Sequence, residues 1–418
     1  MAIFRPFGAI RPGRGMEDKI AALPYDVYNR EEAKAFVTEH PESFLAIDRP
    51  ESQFPDDVDT YDARVYEKAK EMIAERLADG RFVRDPQPGF YLYELTMDGR
   101  SQTGVVGCAS IEDYENRVIL KHENTRADKE QDRINHVGVT GMQTGPIFLA
   151  CPDDEALSAL IDTVKARTPD CDFTSEDGIR HRVWSVFDEG EIGQIRKIFG
   201  GFDHLYIADG HHRCASAVKV GERLRDANPA DTGEEEYHFF LSVVFRQSEL
   251  KILDYNRVVK DLNGLDTDAF LAKVGECFEV GTPGTDPVRP SKKGEFGMLL
   301  DGKWYRLQAK EAIRSYDPVK GLDVSILQDH LLNPILGILD PKTDQRIDFV
   351  GGIRGLGELE RRTKADCRVA FSMYPTSMEE LFAVAGAHLL MPPKSTWFEP
   401  KLRSGLFLHQ ISQSNTPF

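Results

Sequence analysis

Apolar and polar positions along this chain fall into two periods. Short apolar runs bounded by polar residues recur at Phe90-Tyr91-Leu92-Tyr93-Glu94-Leu95, Val118-Ile119-Leu120, Ile147-Phe148-Leu149 and Leu205-Tyr206-Ile207-Ala208. The longest runs through residues 237–245. Runs of this length read as buried strands. Asp98-Gly99, between apolar runs, predicts a hairpin. Three- and four-residue spacing predicts helices over residues 30–38 behind an Asn29 cap, 63–77 closed by Asp79-Gly80, 153–167 and 194–199. Residues 40–47 read as a turn leading into a strand. After residue 253 a helix at 267–278 gives way to a Gly-, Pro- and Thr-rich stretch at 281–294. That stretch is the best boundary composition offers. A hairpin around Asp301-Gly302, a helix at 322–332, strands at 347–350 and 368–373 and a helix at 378–386 complete the pattern. The expected fold class is α/β (α+β) with mixed sheets. A core over residues 1–280 is expected, with a C-terminal α/β portion, 281–418, packing back on it.

One strand-to-helix turn concentrates polar chemistry. Asp209-Gly210-His211-His212-Arg213 comes after the run at 205–208 and precedes Cys214-Ala215-Ser216-Ala217-Val218, whose small and apolar residues make a helix face. A helix start presents unpaired N–H groups and the positive end of the macrodipole, and so attracts anions. Arg213 adds a planar fork suited to phosphate or carboxylate. The plainer reading has Asp209 capping the helix and Arg213 pairing with a surface carboxylate. His211 and His212 diverge by about 100° on a helix, so they are not expected to chelate one metal together. No zinc centre is expected.

Two further stretches are unusually polar. Residues 121–136 carry Lys121, His122, Glu123, Asn124, Arg126, Asp128, Lys129, Glu130, Asp132 and Arg133. A solvated helix with ion pairs is the plain account. Yet the stretch starts at a strand end and finishes beside Thr140-Gly141-Met142-Gln143-Thr144-Gly145-Pro146, a place where α/β sheets hold ligands. Near the C-terminus, Lys394-Ser395-Thr396-Trp397-Phe398 and then Lys401 and Arg403 bring positive charge into an acidic chain. They serve either to recognise an anion or to complete a structured tail.

Ile207-Ala208-Asp209-Gly210-His211-His212-Arg213 resembles the signature of the ParB/sulfiredoxin superfamily, in which a Gly-x-x-Arg turn opening a helix holds nucleotide phosphates. That superfamily includes free-serine kinases. Glu123-Asn124-Thr125-Arg126 resembles the Glu-Asn-x-x-Arg segment of ParB proteins, although here it precedes the turn. Pro24-Tyr25-Asp26-Val27, His122-Glu123-Asn124-Thr125, the 209–213 turn and Met391-Pro392-Pro393-Lys394-Ser395-Thr396-Trp397-Phe398 occur in the order of an uncharacterised microbial family, domain of unknown function 1015. The first resemblance implies a nucleotide, ATP or ADP, with Mg²⁺.

Net charge is −17, with 41% hydrophobic and 29% charged residues. The chain is therefore globular, and wrapping DNA or RNA or lying on an anionic membrane is not expected. Absence of a long apolar run and six scattered cysteines without a Cys-x-x-Cys pair lead to the expectation of a reduced, cytoplasmic protein. A homo-oligomer is left open. The expected function is a phosphotransferase using a nucleotide donor on a small hydroxylated metabolite, with free L-serine as the specific substrate. The alternatives are a nucleotide-binding switch or adaptor and a phosphate-ester hydrolase. Glu123, Asp209 and His211 are the catalytic candidates. Gly210, His212, Arg213, Asn124 and Arg126 are assigned to the nucleotide and its phosphates. Lys394, Ser395, Thr396 and Lys401 are assigned to the substrate, and Asp209 and Glu123 to Mg²⁺.

Overall fold

The computed structural model describes residues 1–125 and 127–412, apart from the side chains of Asp128 and Lys129. The chain divides into two compact units, one formed by Met1–Leu250 with Pro400–Phe418, the other by Lys251–Glu399. The class is mixed α/β, as the alternating periods imply.

The first unit is built on a nine-stranded sheet: β1 (Phe4–Arg5), β2 (Phe90–Met97), β3 (Arg100–Ser110), β4 (Ile119–Leu120), β5 (Ile147–Cys151), β6 (Cys171–Thr174), β7 (Arg180–Val186), β8 (Leu205–Asp209) and β9 (Phe239–Arg246). The strand order is β4-β8-β5-β9-β3-β2-β7-β6, with β1 also paired to β3. The Asp98-Gly99 hairpin joins β2 to β3 as expected. β4 and β8 run parallel, with Leu205 opposite Ile119 and Tyr206 opposite Leu120. Their carboxyl ends therefore lie side by side, and the residues after each of these strands emerge at one edge of the sheet.

The core explains the strand pattern. Phe90, Leu92, Val105, Ala109, Ile147, Leu149, Leu205, Ile207, Phe240 and Val244 face one way, in steps of two along most strands. The helix α2 (His211–Ala227) covers this layer with Cys214, Ala217 and Val218, three and four residues apart. Each buried Phe, Leu or Ile contributes roughly 1.5–3 kcal/mol. A second layer of the unit is a four-stranded sheet in the order Phe82–Arg84, Ala9–Pro12, Leu408–Gln410, Met142–Gln143. The helix Arg30–Glu39 starts at Asn29 with a reciprocal capping box to Glu32.

Two readings change. Residues 40–47 do not become a strand: Leu45–Asp48 is a helical turn with all four residues buried. A short apolar run with no polar partner face carries no period, and tertiary packing decided it. The polar stretch from 121 is not a solvated helix either. In α1 (Ala127–Thr140), Glu130, Asp132, Arg133 and His136 are buried. Arg133 pairs with Asp132 at 2.8 Å and lies 4.1 Å over the Tyr25 ring, while the Tyr66 hydroxyl donates to Asp132 at 3.0 Å.

The second unit has its own six-stranded sheet: β10 (Tyr255–Val259), β11 (Phe278–Val280), β12 (Glu295–Leu300), β13 (Lys303–Ala309), β14 (Ile347–Gly351) and β15 (Val369–Ser372), ordered β11-β13-β12-β15-β10-β14. The Gly-, Pro- and Thr-rich stretch is a loop inside this unit, between β11 and β12. Val258, Leu299, Trp304, Val350, Leu359 and Ala370 form its core. Among the described residues no helix is long and apolar enough to cross a membrane.

Candidate functional site

The turn after β8 has the expected strand–turn–helix form. Gly210 stands at the start of α2 with φ 88°, a left-handed conformation that a side chain disfavours. No side chain caps the helix, so Asp209 is not its cap. Instead the Asp209 carboxylate accepts the Gly210 N–H at 2.9 Å and pairs with Lys401 Nζ at 3.0 Å. Asp209 is 36% exposed and Lys401 16%. Burial opposes ionisation of Asp209, but Lys401 and Arg213 outweigh it and hold the carboxyl well below its usual range.

Arg213 folds back under the turn. Its Nη1 donates to the Pro146 carbonyl at 2.8 Å. A Cβ on Gly145 would stand 3.0 Å from Arg213 Nη1, and one on Gly210 3.2 Å from Arg213 Nε. The glycine loop at 140–146 therefore lies against the guanidinium, a contact that the sequence did not suggest, and Nε and Nη2 of the fork lie by Gly210. Beside Arg213 is a narrow space of about 30 Å³, also lined by Tyr25, Arg133, His136, Thr144, Ser216 and Ser404 among others. It has room for about one water molecule and none for a nucleotide. Hollows of about 940 and 720 Å³ in this unit lie around Tyr237 and His409, and around Arg5 and Arg225.

His122, two residues beyond β4, reaches the same edge through the parallel pairing. Its ring meets His211 edge-on, 4.5 Å between centroids at 87°, and hydrogen-bonds the backbone of Ile207. Burial takes the His122 imidazole down to about 4, and burial with the neighbouring His122 takes His211 well below its usual value. Both rings are neutral at pH 7. His122, Glu123 and His211 each offer one ligand atom, all within 4.8 Å of one another. Sequence spacing weighs His211 only against His212. It misses His122, whose signal is its place two residues after a short apolar strand.

Glu123 and Lys401 join the turn, and the other expected residues lie elsewhere. Glu123 is half-buried and Asn124 exposed, beside Thr125, whose hydroxyl donates to Glu130. Glu130 also pairs with Lys219 of α2. His212 acts electrostatically on Glu130. Arg126 lies outside the described residues. Lys401 and Arg403 belong to the first unit, where Arg403 is buried against Asp177, Ser175 and His181. Lys394, Ser395 and Thr396 belong to the second unit. There Lys394 Nζ sits 5.7 Å over the Tyr255 ring and Arg257 donates to the Lys394 carbonyl. Ser395 is buried and donates its hydroxyl to the Pro392 carbonyl at 2.7 Å.

These donors do not fit the Mg²⁺ expected at Asp209 and Glu123. Mg²⁺ takes oxygen ligands in near-ideal octahedra. Asp209 already spends its oxygens on Lys401 and Gly210, and Glu123 shares its place with two imidazoles.

Residues 4–325 match the family described as "Protein of unknown function (DUF1015)". The chain belongs to the DUF1015 family. The match takes in the 209–213 turn and His122, while Lys401 of this DUF1015 protein lies beyond it. No curated protein matches the chain. Among solved structures it is similar to a free serine kinase in complex with AMP, at 15% identity and a TM-score of 0.34 over 71% of this chain and 86% of that one. It is similar also to a conserved hypothetical protein from Pyrococcus furiosus, at 15% and 0.34 over 72% and 93%. A third is SbnI with a C-terminal truncation from Staphylococcus aureus, at 10% and 0.35 over 70% and 82%.

Proposed function

We propose that this DUF1015 protein is a phosphotransferase that moves a phosphoryl group from ATP or ADP to a small hydroxylated metabolite, with L-serine the first substrate to try. The observation that supports this most is the turn itself: an uncapped helix start, Arg213 held against two glycines, and an ionised Asp209 beside Lys401. Phosphoryl transfer asks for positioning and charge neutralisation more than for a strong base. In this reading the His212 N–H and the guanidinium of Arg213 receive the nucleotide phosphates, Gly210 leaves them room to approach the turn, and Asn124 and Arg126 are further candidates for nucleotide contact. Asp209 orients the acceptor hydroxyl, and Glu123 is the candidate base that takes its proton. Lys401 keeps the Asp209 carboxylate ionised and offers charge to the incoming substrate. Glu123 and His211 stand next to the reacting atoms.

The test is a coupled assay of the full chain with ATP or ADP against a panel of amino acids and other small alcohols, with the product identified by mass. A phosphorylated acceptor is expected. Nucleotide turnover that no acceptor changes would replace the kinase by a nucleotide-driven switch or a hydrolase. Absence of nucleotide binding would remove the reading altogether.

A further inference from the structure

We infer that His122, Glu123 and His211 form a binding site for one divalent first-row transition-metal ion, distinct in chemistry from a magnesium site. Their three ligand atoms lie within 4.8 Å of one another. Ligands around a shared ion, at about 2.0–2.2 Å each, sit roughly 3–4 Å apart, so small side-chain rotations close the set. The two rings approach edge to face at 87°, which lets both in-plane nitrogen lone pairs converge on one point.

Two details favour an ion over simple packing. The Ile207 backbone hydrogen-bonds the His122 ring and so fixes its orientation, as backbone carbonyls commonly do for metal-bound histidines. His211 Nε2 is sealed from solvent and has no hydrogen-bond partner among the described residues. A buried polar atom left in that state is costly unless something occupies it. A metal ion bound through that nitrogen removes the deficit.

The donor set selects the ion. Two imidazoles and one carboxylate suit Zn²⁺, Mn²⁺ or Fe²⁺ and leave positions open for exogenous ligands, whereas Mg²⁺ dehydrates reluctantly and favours oxygen. The site begins at the residue after the Gly210 bend, so an anion held at the turn lies within reach of those open positions. The inference does not rest on the kinase reading. It concerns metal retention, which needs neither nucleotide nor acceptor.

Asp231, Glu235 and His238 form a second three-residue cluster, on the surface. It is an unsuitable rival, because Asp231 Oδ1 already accepts from His238 at 2.7 Å and from the Tyr237 hydroxyl at 2.7 Å.

The experiment strips the full-length protein with a chelator and titrates it with Co²⁺, reading visible absorption and bound metal per chain. One Co²⁺ is expected, displaced by Zn²⁺ and retained in a large excess of Mg²⁺. His211→Ala and Glu123→Gln should each weaken binding by more than about tenfold, and Asp231→Asn should not. Glu123 is half-buried, so Glu123→Gln guards against a folding failure at His211; both variants are checked by melting. Undiminished Co²⁺ binding in either folded variant, loss of the ion in Asp231→Asn, or ready displacement by Mg²⁺ would overturn the assignment. A kinase without this metal, or this metal without kinase activity, would separate the two readings.

Discussion

Asp209 in the first unit and Asp323 in the second are both carboxylates held by backbone N–H groups, yet they titrate in opposite directions. Asp323 accepts the Gly294 N–H with both oxygens at 2.9 Å and is buried. Burial pushes it up to about 7, reinforced by Glu380, with Lys293 and Arg314 opposing too weakly. Asp209 is less enclosed and has Lys401 in direct contact and Arg213 close by, so it stays ionised. One hydrogen-bonding backbone group does not decide the charge of a carboxylate; a cation at contact distance does. Asp323 closes a loop as a group that can hold a proton, whereas Asp209 carries a fixed charge.

The largest expected effect breaks the comparison at Arg213. Arg213→Ala should lower nucleotide affinity by roughly ten- to a hundredfold, through loss of a charge-assisted contact of about 1.5–3 kcal/mol. Arg213→Lys should restore part of it, since an ammonium keeps charge but not the fork. Because Arg213 also holds the Pro146 carbonyl, the alanine variant should lose about 1 kcal/mol of stability as well. Calorimetry and melting separate the two losses. Unchanged affinity in a folded variant would make the turn structural.

The next effect concerns pH. Asp323 keeps its proton to about 7 when folded, against an ordinary value of 3.8, so the folded state binds more protons across that window. Its contribution to stability is present at low pH and is lost as pH rises from about 4 through 7. Asp323→Asn should therefore stabilise the protein by roughly 1–2 kcal/mol at pH 8 relative to its effect at pH 5, read from urea midpoints. His181 in the first unit does the reverse. Burial takes it to about 3, aided by Arg403, so its contribution is lost as pH falls from 6.5 towards 3. Identical pH slopes in wild type and Asp323→Asn would contradict the contrast.

A smaller change sharpens it. Lys401→Ala should raise the Asp209 pKa towards ordinary values, measured by carboxyl NMR, at a cost of about 0.5–1 kcal/mol once solvent screening is allowed for. No upward movement would mean that Arg213 alone sets the charge. The smallest effect belongs to Lys394→Ala, about 0.5–1 kcal/mol from its contact with Tyr255. A melting shift well beyond that range would point to a larger structural role for Lys394.

Much of this was readable locally. The apolar run at 205–208, Gly210 and the small residues after Arg213 specify strand, turn and helix within a few positions of one another. The contact between the glycine loop and Arg213 was not legible, because it joins segments some seventy residues apart. What failed to show was long-range. Nothing near His122 says that its strand pairs parallel to the one before His211, and only that pairing brings the rings together. The same holds for the last basic stretch. Lys394 and Lys401 are seven residues apart in sequence, yet they fall in different units. Asp132 and Arg133 looked solvated because their partners, Tyr66 and Tyr25, are distant in sequence.

The return of the chain to the first unit at Pro400 sets an order of assembly. On a ribosome, the turn at 209–213 emerges long before Lys401, and residues 251–399 are translated in between. For that interval Asp209 lacks its counter-ion. The edges of Ala9–Pro12 and Met142–Gln143 also lack Leu408–Gln410, the strand that joins them. Unpaired edges invite foreign strands. A nascent or C-terminally clipped chain should therefore be both electrostatically incomplete and prone to associate, so the site's charge balance and the closure of the small sheet are late events in vectorial synthesis.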